Sequence, residues 1–117
     1  MRWIVELHPL FAEEFKMFSE DVQDCIFAEI GMLEKRGPLL SRPHVDTLNS
    51  SKHSNMKELR FNADGGVWRT AFAFDPKRKA ILLVAGDKSG ISQNRFYKQL
   101  IKKADERFDD HLSKMKE

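Results

Sequence analysis

Cysteine is nearly missing from this chain, since Cys25 is the single one among 117 residues. One thiol forms no intrachain disulfide and cannot supply the ligand set of a structural zinc site. Cys25 falls on the apolar face of a predicted helix. We therefore expect a buried small hydrophobe and a reduced, cytoplasmic setting.

Long hydrophobic runs are also lacking. No stretch of about 18 apolar residues predicts a membrane span, and residues 1–11 do not resemble a signal peptide. The H-E-x-x-H and paired-carboxylate metal motifs are absent, and the turn at residues 86–90 lacks the spacing of a phosphate-binding P-loop. With 41% apolar and 32% charged residues, the sequence predicts one globular domain over residues 1–117, with no cofactor and no metal.

The net charge of +2 hides a strong asymmetry along the chain. Residues 1–34 hold eight acidic and two basic residues, a net charge of −6. Residues 35–104 hold fifteen basic and five acidic residues, a net charge of +10. Such a distribution favours a polyanionic partner for the middle of the chain, although a coincidental surface distribution is the alternative.

That basic region centres on three β-prone runs, Met56–Phe61, Val67–Phe74 and Ala80–Ala85, separated by two short turn signals. The gaps leave no room for a crossover helix, so the runs predict an antiparallel meander. In the second run, bulky residues alternate with Arg69 and small residues, which predicts a core face and a shallow face with space above it. Glu58 and Arg60 of the first run share one face. Arg60 and Arg69 are thus expected to rise from the same hollow as an anion site, unless Arg60 is held in a structural ion pair with Glu58 or an N-terminal acid.

The flanks of the meander complete an α+β domain of order β-α-α-β-β-β-α. Residues 2–7 alternate as a strand that adds at a sheet edge, giving four strands. Pro9 and Ser19 begin an N-terminal helical hairpin, and Ser92 caps a C-terminal helix that closes an end of the sheet or covers its other face. Residues 37–55 predict an irregular connector. Its two histidines, His44 and His53, are candidates for acid–base chemistry or ordinary loop residues.

The chain resembles the HigB branch of the RelE/ParE toxin superfamily over nearly its whole length. The resemblance rests on GPLLSRP, LNSSKHSNMKELRF, WRTAFAFDP, RKAILLVAGDKSG and RFYKQLIKKADERFDDHL. It implies the toxin of a type II toxin–antitoxin pair, a ribosome-associated mRNA endonuclease. It also implies neutralisation by a small HigA-like helix-turn-helix antitoxin.

The resemblance assigns catalysis to a cluster of Lys57, Arg60, Arg69 and Lys88. Metal-free RNA cleavage through the 2′-OH needs a base, charge stabilisation and an acid. Guanidinium groups suit phosphate oxygens, and Lys88, or Lys57, suits proton transfer if burial lowers its pKa. Lys57 and Arg60 are three residues apart, so both line the site only if a bulge re-aims one of them.

Further RNA contacts are expected from the basic residues of the second hairpin turn, the last helix and the connector. A solvated turn is the alternative for the first group. His53 and Tyr97 are the possible acid or base, although the apolar neighbours of Tyr97 favour a core position. The expected RNA-binding residues are Lys77, Arg78, Lys79, Arg95 and Lys52.

Two other functions are compatible with the same pattern. One is a ParE-like poison of DNA gyrase without nuclease activity. The other is an inactive, phage-derived binding module that has kept the fold. The basic sheet face favours RNA, but charge alone does not separate the three.

Overall fold

Five strands form one sheet flanked by three α-helices in the computed structural model, which describes residues 2–116. A short 3₁₀ turn, Gly37–Leu39, follows the second helix. In chain order the elements are β1 (Val5–Leu7), α1 (Pro9–Phe15), α2 (Glu20–Arg36), β2 (Val45–Thr47), β3 (Lys57–Ala63), β4 (Gly66–Phe74), β5 (Ala80–Asp87) and α3 (Gln93–Met115).

The sheet order is β1-β5-β4-β3-β2. Strands β2 to β5 pair antiparallel with their neighbours, and β1 adds in parallel beside β5. The meander and the edge position of the first strand are confirmed. The prediction of four strands was wrong, because β2 forms within the stretch expected to be irregular. Its Val45 lies opposite Leu59 and is buried, so a three-residue strand gains both ladder bonds and apolar contact.

The helix ends follow local rules. Pro9 occupies the first turn of α1, where its missing N–H costs no hydrogen bond. Ser19 accepts a hydrogen bond from the Val22 amide and caps α2, and Ser92 caps α3 through the Arg95 amide. Cys25 of α2 packs beside the core but is only partly buried, which corrects the expectation of a fully buried thiol.

Both faces of the sheet are covered. Bulky residues such as Leu59 and Phe72 pack against α1 and α2. The small residues Ala71 and Ala73 pack against α3, whose core residues include Leu100. The space predicted above the small face is therefore mostly filled. Because alanine side chains are short, the helix approaches the sheet closely, and an opening remains beside the first half of α3.

A β-bulge in β5 decides which side chains reach that end. Ala71 pairs with Val84 but Phe72 pairs with Leu82, so Leu83 is an extra residue. The bulge reverses the alternation of β5, and Leu83 and Val84 both pack toward α3. Beyond it, the amide of Lys88 bonds to the carbonyl of Val67 at 2.8 Å. The side chain of Lys88 faces the first half of α3, near Tyr97.

Candidate active site

A groove of about 980 Å³ opens between the first half of α3 and the edge of the sheet. The end of β2 and the residues after it form one wall, β3 and the end of β5 form the floor, and α3 forms the other wall. The lining residues are Asp46, Thr47, Leu48, Asn49, Ser50, Glu58, Arg60, Lys88, Gln93, Asn94, Tyr97, Lys98, Ile101 and Lys102.

The two arginines expected to gather over a hollow are direct neighbours across β3 and β4. Arg60 pairs with Arg69 in the strand register, so both side chains leave the same face. Arg60 lines the groove, and its side chain is 36% exposed. Arg69 lies deeper, at 5% exposure, and does not line the groove.

Three contacts account for the burial of Arg69. Its Nη1 donates to the carbonyl of Trp68 at 2.9 Å, and its Nε donates to the hydroxyl of Tyr97 at 3.3 Å. The same Nε lies 3.7 Å from a carboxylate oxygen of Glu58. Arg69 thus contributes a fixed positive charge beneath the groove. The structure places it in contact with a carboxylate and not on an open surface.

Tyr97 joins this cluster from α3. Its hydroxyl donates to Glu58 at 2.8 Å, while its ring packs against the apolar side of the helix. Burial raises the pKa of the Tyr97 phenol, and the hydrogen bond to Glu58 raises it further. The phenol therefore stays protonated at neutral pH and serves as a hydrogen-bond donor. Tyr97 packs against the core, as its apolar neighbours predicted, and it also lines the groove.

Lys88 is the partly buried cation at the end of β5. Burial lowers the pKa of its ammonium, and the nearby charges of Arg69 and Arg60 lower it further, while Glu58 acts in the opposite direction. A lysine in such surroundings releases its proton more readily than a solvated one.

Lys57 is placed on the other face of the sheet. It pairs with Phe72, whose side chain packs toward α1 and α2, and it does not line the groove. The bulge that re-aims a residue lies in β5 and not in β3. Of the KELR motif, Glu58 and Arg60 reach the groove.

His53 and Lys52 lie away from the groove, near the C-terminal half of α3. His53 Nε2 lies 2.8 Å from Asp109 Oδ1, and its ring packs edge-on against Phe108. Lys52 forms an ion pair with the same Asp109, which raises the pKa of the lysine. His44 contributes its backbone carbonyl, which accepts the Arg60 amide at 2.9 Å.

The hairpin cations occupy the opposite end of β4 and β5 from the groove. Lys77 and Arg78 are exposed, and the Arg78 guanidinium lies 4.6 Å from the centre of the Trp3 ring. Lys79 pairs with Glu6 at 3.1 Å. Arg95 is exposed on the first turn of α3 and does not line the groove. None of these four residues lines the groove.

Sequence reasoning missed the central position of Glu58 and the wall formed by residues 46–50. The sequence allowed an ion pair between Glu58 and Arg60. It did not indicate the contact of Glu58 with Tyr97, which is 39 residues away. The alternation Val45-Asp46-Thr47 was the one local signal for β2. Lys98 and Lys102 add positive charge to the groove. Each directly follows an apolar residue of α3, Tyr97 or Ile101, so local spacing alone did not separate the two lysines from the solvated face of the helix.

No helix within residues 2–116 has the length and apolarity to cross a bilayer. Across the same residues, His, Cys, Asp and Glu side chains nowhere gather in threes with a geometry suited to a metal ion.

The architecture is that of RelE-type toxins. The structure of a doubly substituted Escherichia coli toxin RelE in the free state superposes with a TM-score of 0.59 at 8% identity, covering 88% of this chain and 97% of RelE. At that identity the likeness concerns the fold alone.

Sequence comparison names the family. Residues 13–109 match the family described as phage derived protein Gp49-like (DUF891). The candidate toxin HigB2 of Mycobacterium tuberculosis is 45% identical over 100 residues, covering 85% of this chain and 49% of HigB2. This chain therefore spans about half the length of HigB2. The candidate toxin HigB3 of the same organism is 42% identical over 109 residues, covering 93% of each chain. The chain belongs to the Gp49-like family and is HigB-like in sequence.

Proposed function

We propose that this chain is an endoribonuclease toxin that cleaves mRNA on the ribosome in the cytoplasm and so blocks translation. The observation that carries the proposal is the groove lined by Arg60 and Lys88, with the buried Arg69 beneath its floor. Its floor is cationic and its mouth is open, which suits a phosphodiester backbone.

The chemistry requires no group beyond side chains and the RNA itself. The 2′-oxygen attacks the adjacent phosphorus, its proton passes to a base, and the bond to the 5′-oxygen breaks as that oxygen takes a proton from an acid. The products are a cyclic phosphate and a 5′-hydroxyl. Negative charge on the phosphorane is the quantity that the site must stabilise.

Arg60 is the proposed direct phosphate contact, since its guanidinium reaches the groove and can bond two phosphate oxygens together. Lys88 is the proposed proton-transfer residue. Arg69 acts from below through its charge, and Tyr97 through its hydroxyl. Lys57 and His53 have no part in this assignment, because neither lines the groove.

Contacts along the RNA are proposed for Lys98 and Lys102, which line the groove. The exposed residues Lys77, Arg78 and Arg95 are proposed as more distant contacts with RNA on the ribosome. The partner that restrains the toxin is proposed to be a HigA-like helix-turn-helix antitoxin.

Arg60→Ala tests the assignment without disturbing the core, because the side chain is partly exposed. Cleavage of ribosome-bound mRNA, followed by mapping transcript ends, should fall about a hundredfold, the usual loss for one transition-state donor. The matched control is Arg36→Ala, an exposed arginine at the end of α2 on the opposite face of the sheet. This control should cleave like the wild type.

Three results would contradict the proposal. Full activity of Arg60→Ala would place the site elsewhere. Growth arrest with blocked supercoiling and no new transcript ends would identify a ParE-like gyrase poison. Overexpression without an antitoxin and without growth arrest would indicate an inactive binding module.

A further inference from the structure

Glu58 is the one carboxylate on the floor of the groove, and its side chain is almost fully buried. It lies in β3 opposite Ala71, a residue too short to shield it. Three cationic side chains surround it, namely Arg60, Arg69 and Lys88. A buried carboxylate in a site built to hold phosphate opposes substrate binding electrostatically, so its presence there needs a reason.

The contacts of Glu58 show what it holds in place. One oxygen accepts the Tyr97 hydroxyl at 2.8 Å and lies 3.7 Å from Arg69 Nε, and the other lies 4.0 Å from Arg60 Nε. Tyr97 accepts a bond from the same Arg69 Nε. Glu58 therefore ties β4 and α3 to β3 at the point where the groove opens.

The position of Glu58 also determines the charge balance of the site. Without a carboxylate, two guanidinium groups and an ammonium would share a partly buried space and repel one another. The carboxylate also favours the protonated form of Lys88, against the two arginines that disfavour it. The balance among these groups sets how readily Lys88 exchanges its proton.

We propose that Glu58 is a positioning residue of the proposed ribonuclease site. Its carboxylate fixes Arg60, Arg69 and the Tyr97 hydroxyl around Lys88 and offsets part of their positive charge. This role rests on the proposed function of the groove. We assign Glu58 no direct contact with the RNA, and its effect on cleavage passes through Arg60, Arg69 and Tyr97, which it holds in place.

The ionisable groups around Lys88 together set its proton affinity. They come from each element packed around Lys88, and Asp46 is the other carboxylate among them. Asp46 is already bonded to Arg42 at 2.8 Å, on the outer side of the wall. The groups are Asp46 of β2, Glu58 and Arg60 of β3, Arg69 of β4, and Tyr97, Lys98 and Lys102 of α3.

Glu58→Gln separates charge from shape. Glutamine can still accept the Tyr97 hydroxyl bond, but it no longer carries the negative charge that favours protonated Lys88. The pKa of Lys88 should fall by about one unit, the size typical of a neighbouring charge. Asp46→Asn is the matched control, since it removes one negative charge from the rim of the same groove.

The titration is measured in the free protein by the ¹³Cε and ¹⁵Nζ signals of lysine, with Lys88→Arg to assign the signal. A lower pKa in Glu58→Gln and a much smaller change in Asp46→Asn support the proposal. An unchanged Lys88 pKa in Glu58→Gln overturns its electrostatic part. If the glutamine variant does not fold, Glu58→Asp replaces it, and an unchanged Lys88 pKa together with wild-type cleavage overturns the proposal.

Cleavage kinetics then test the positioning part. If Lys88 is the base, the rate rises with pH through its pKa, so Glu58→Gln should move that limb to lower pH by the shift seen in the titration. Tyr97→Phe keeps the charge but removes the bridging hydroxyl, so it should slow cleavage and leave the limb in place. A limb that stays at the wild-type pH in Glu58→Gln overturns the proposal. Wild-type protein that cleaves no mRNA refutes the ribonuclease function instead, while the lysine titration still reports on Glu58.

Discussion

Glu29 differs from the other buried charged side chains of residues 2–116. Arg69 and Arg107 each face a carboxylate, and Asp75 lies within hydrogen-bond distance of His111. Glu29 lies on the inward stripe of α2, and its Oε2 has no hydrogen-bond partner within the described residues. Burial raises the pKa of Glu29 to about 7.

This raised pKa makes stability depend on pH. Below the unfolded pKa of about 4.5, Glu29 is neutral in both states, and its ionisation does not affect stability. As the pH rises through 7, the unfolded chain is ionised while the folded protein must bury a charge or retain a proton. We expect Glu29→Met to stabilise the fold by about 2 kcal/mol at pH 8 and by much less near pH 5.

Urea unfolding of Glu29→Met at several pH values measures this difference. Glu20→Gln, an exposed glutamate of the same helix, is the control and should show little change. A stabilisation of equal size at pH 5 and pH 8 would mean that Glu29 is not protonated in the folded protein.

The site residues show how far sequence reasoning extends at this scale. Alternation in two strands was enough to place Arg60 and Arg69 on one face. The different depths of the two arginines were not readable. Arg69 is buried because Tyr97 and Glu58 meet it from distant positions in the chain.

At the scale of elements, two glycines in and after α2 differ in whether they can be replaced by a larger residue. Gly31 lies inside α2, and an added Cβ would meet nothing within 4 Å. Gly37 ends the helix with φ of +53°, and a Cβ there would lie 2.4 Å from the Trp3 ring. The first is replaceable, and the second is required by both backbone and packing.

We expect Gly31→Ala to stabilise the protein by about 0.5 to 1 kcal/mol, because alanine loses less backbone entropy in a helix. Gly37→Ala should destabilise it by more than that amount. Thermal unfolding of the two variants and the wild type measures these changes in stability. A loss of stability in Gly31→Ala would show that the alanine side chain clashes with a neighbouring group.

The β2 strand shows where prediction of elements stopped. Residues 37–55 are rich in proline, serine and asparagine, which are typical of loops. Three residues within them become a strand because the exposed edge of β3 offers unpaired backbone groups and a pocket for Val45. Local preference carries no information about such an edge.

At the scale of the whole molecule, the helices on the two faces of the sheet are connected directly. Arg107 of α3 bonds to both carboxylate oxygens of Glu14 of α1, at 2.8 and 2.6 Å, and to the Leu83 carbonyl. His8, the residue before α1, lies 2.9 Å from Asp110. The position of α3, and hence of one groove wall, depends on these long-range contacts.

The hydrogen bond to Arg107 is the main cause of the lowered pKa of Glu14, with burial opposing it. A lowered folded pKa contributes stability above the unfolded pKa of about 4.5, and this contribution is lost as the pH falls through the folded pKa. Glu14→Gln should therefore cost about 1 kcal/mol at pH 7, a value reduced for solvent screening, and almost nothing near pH 3. Glu13→Gln removes only an exposed pair with Lys16 and serves as the control in denaturant titrations. A cost for Glu14→Gln that persists at pH 3 would show that packing is responsible.

The sequence by itself determined the α+β class, the meander, the capped helices and the shared face of Arg60 and Arg69, because these follow from alternation, turn residues and caps that act over a few neighbours. Only the tertiary structure decided the fifth strand, the cover of α3 over the alanine face, the bulge that turns Lys88 into the groove and the enclosure of Arg69 by Glu58 and Tyr97. Each of these depends on contacts between residues far apart in the chain, where packing and charge, and not local preference, select the arrangement.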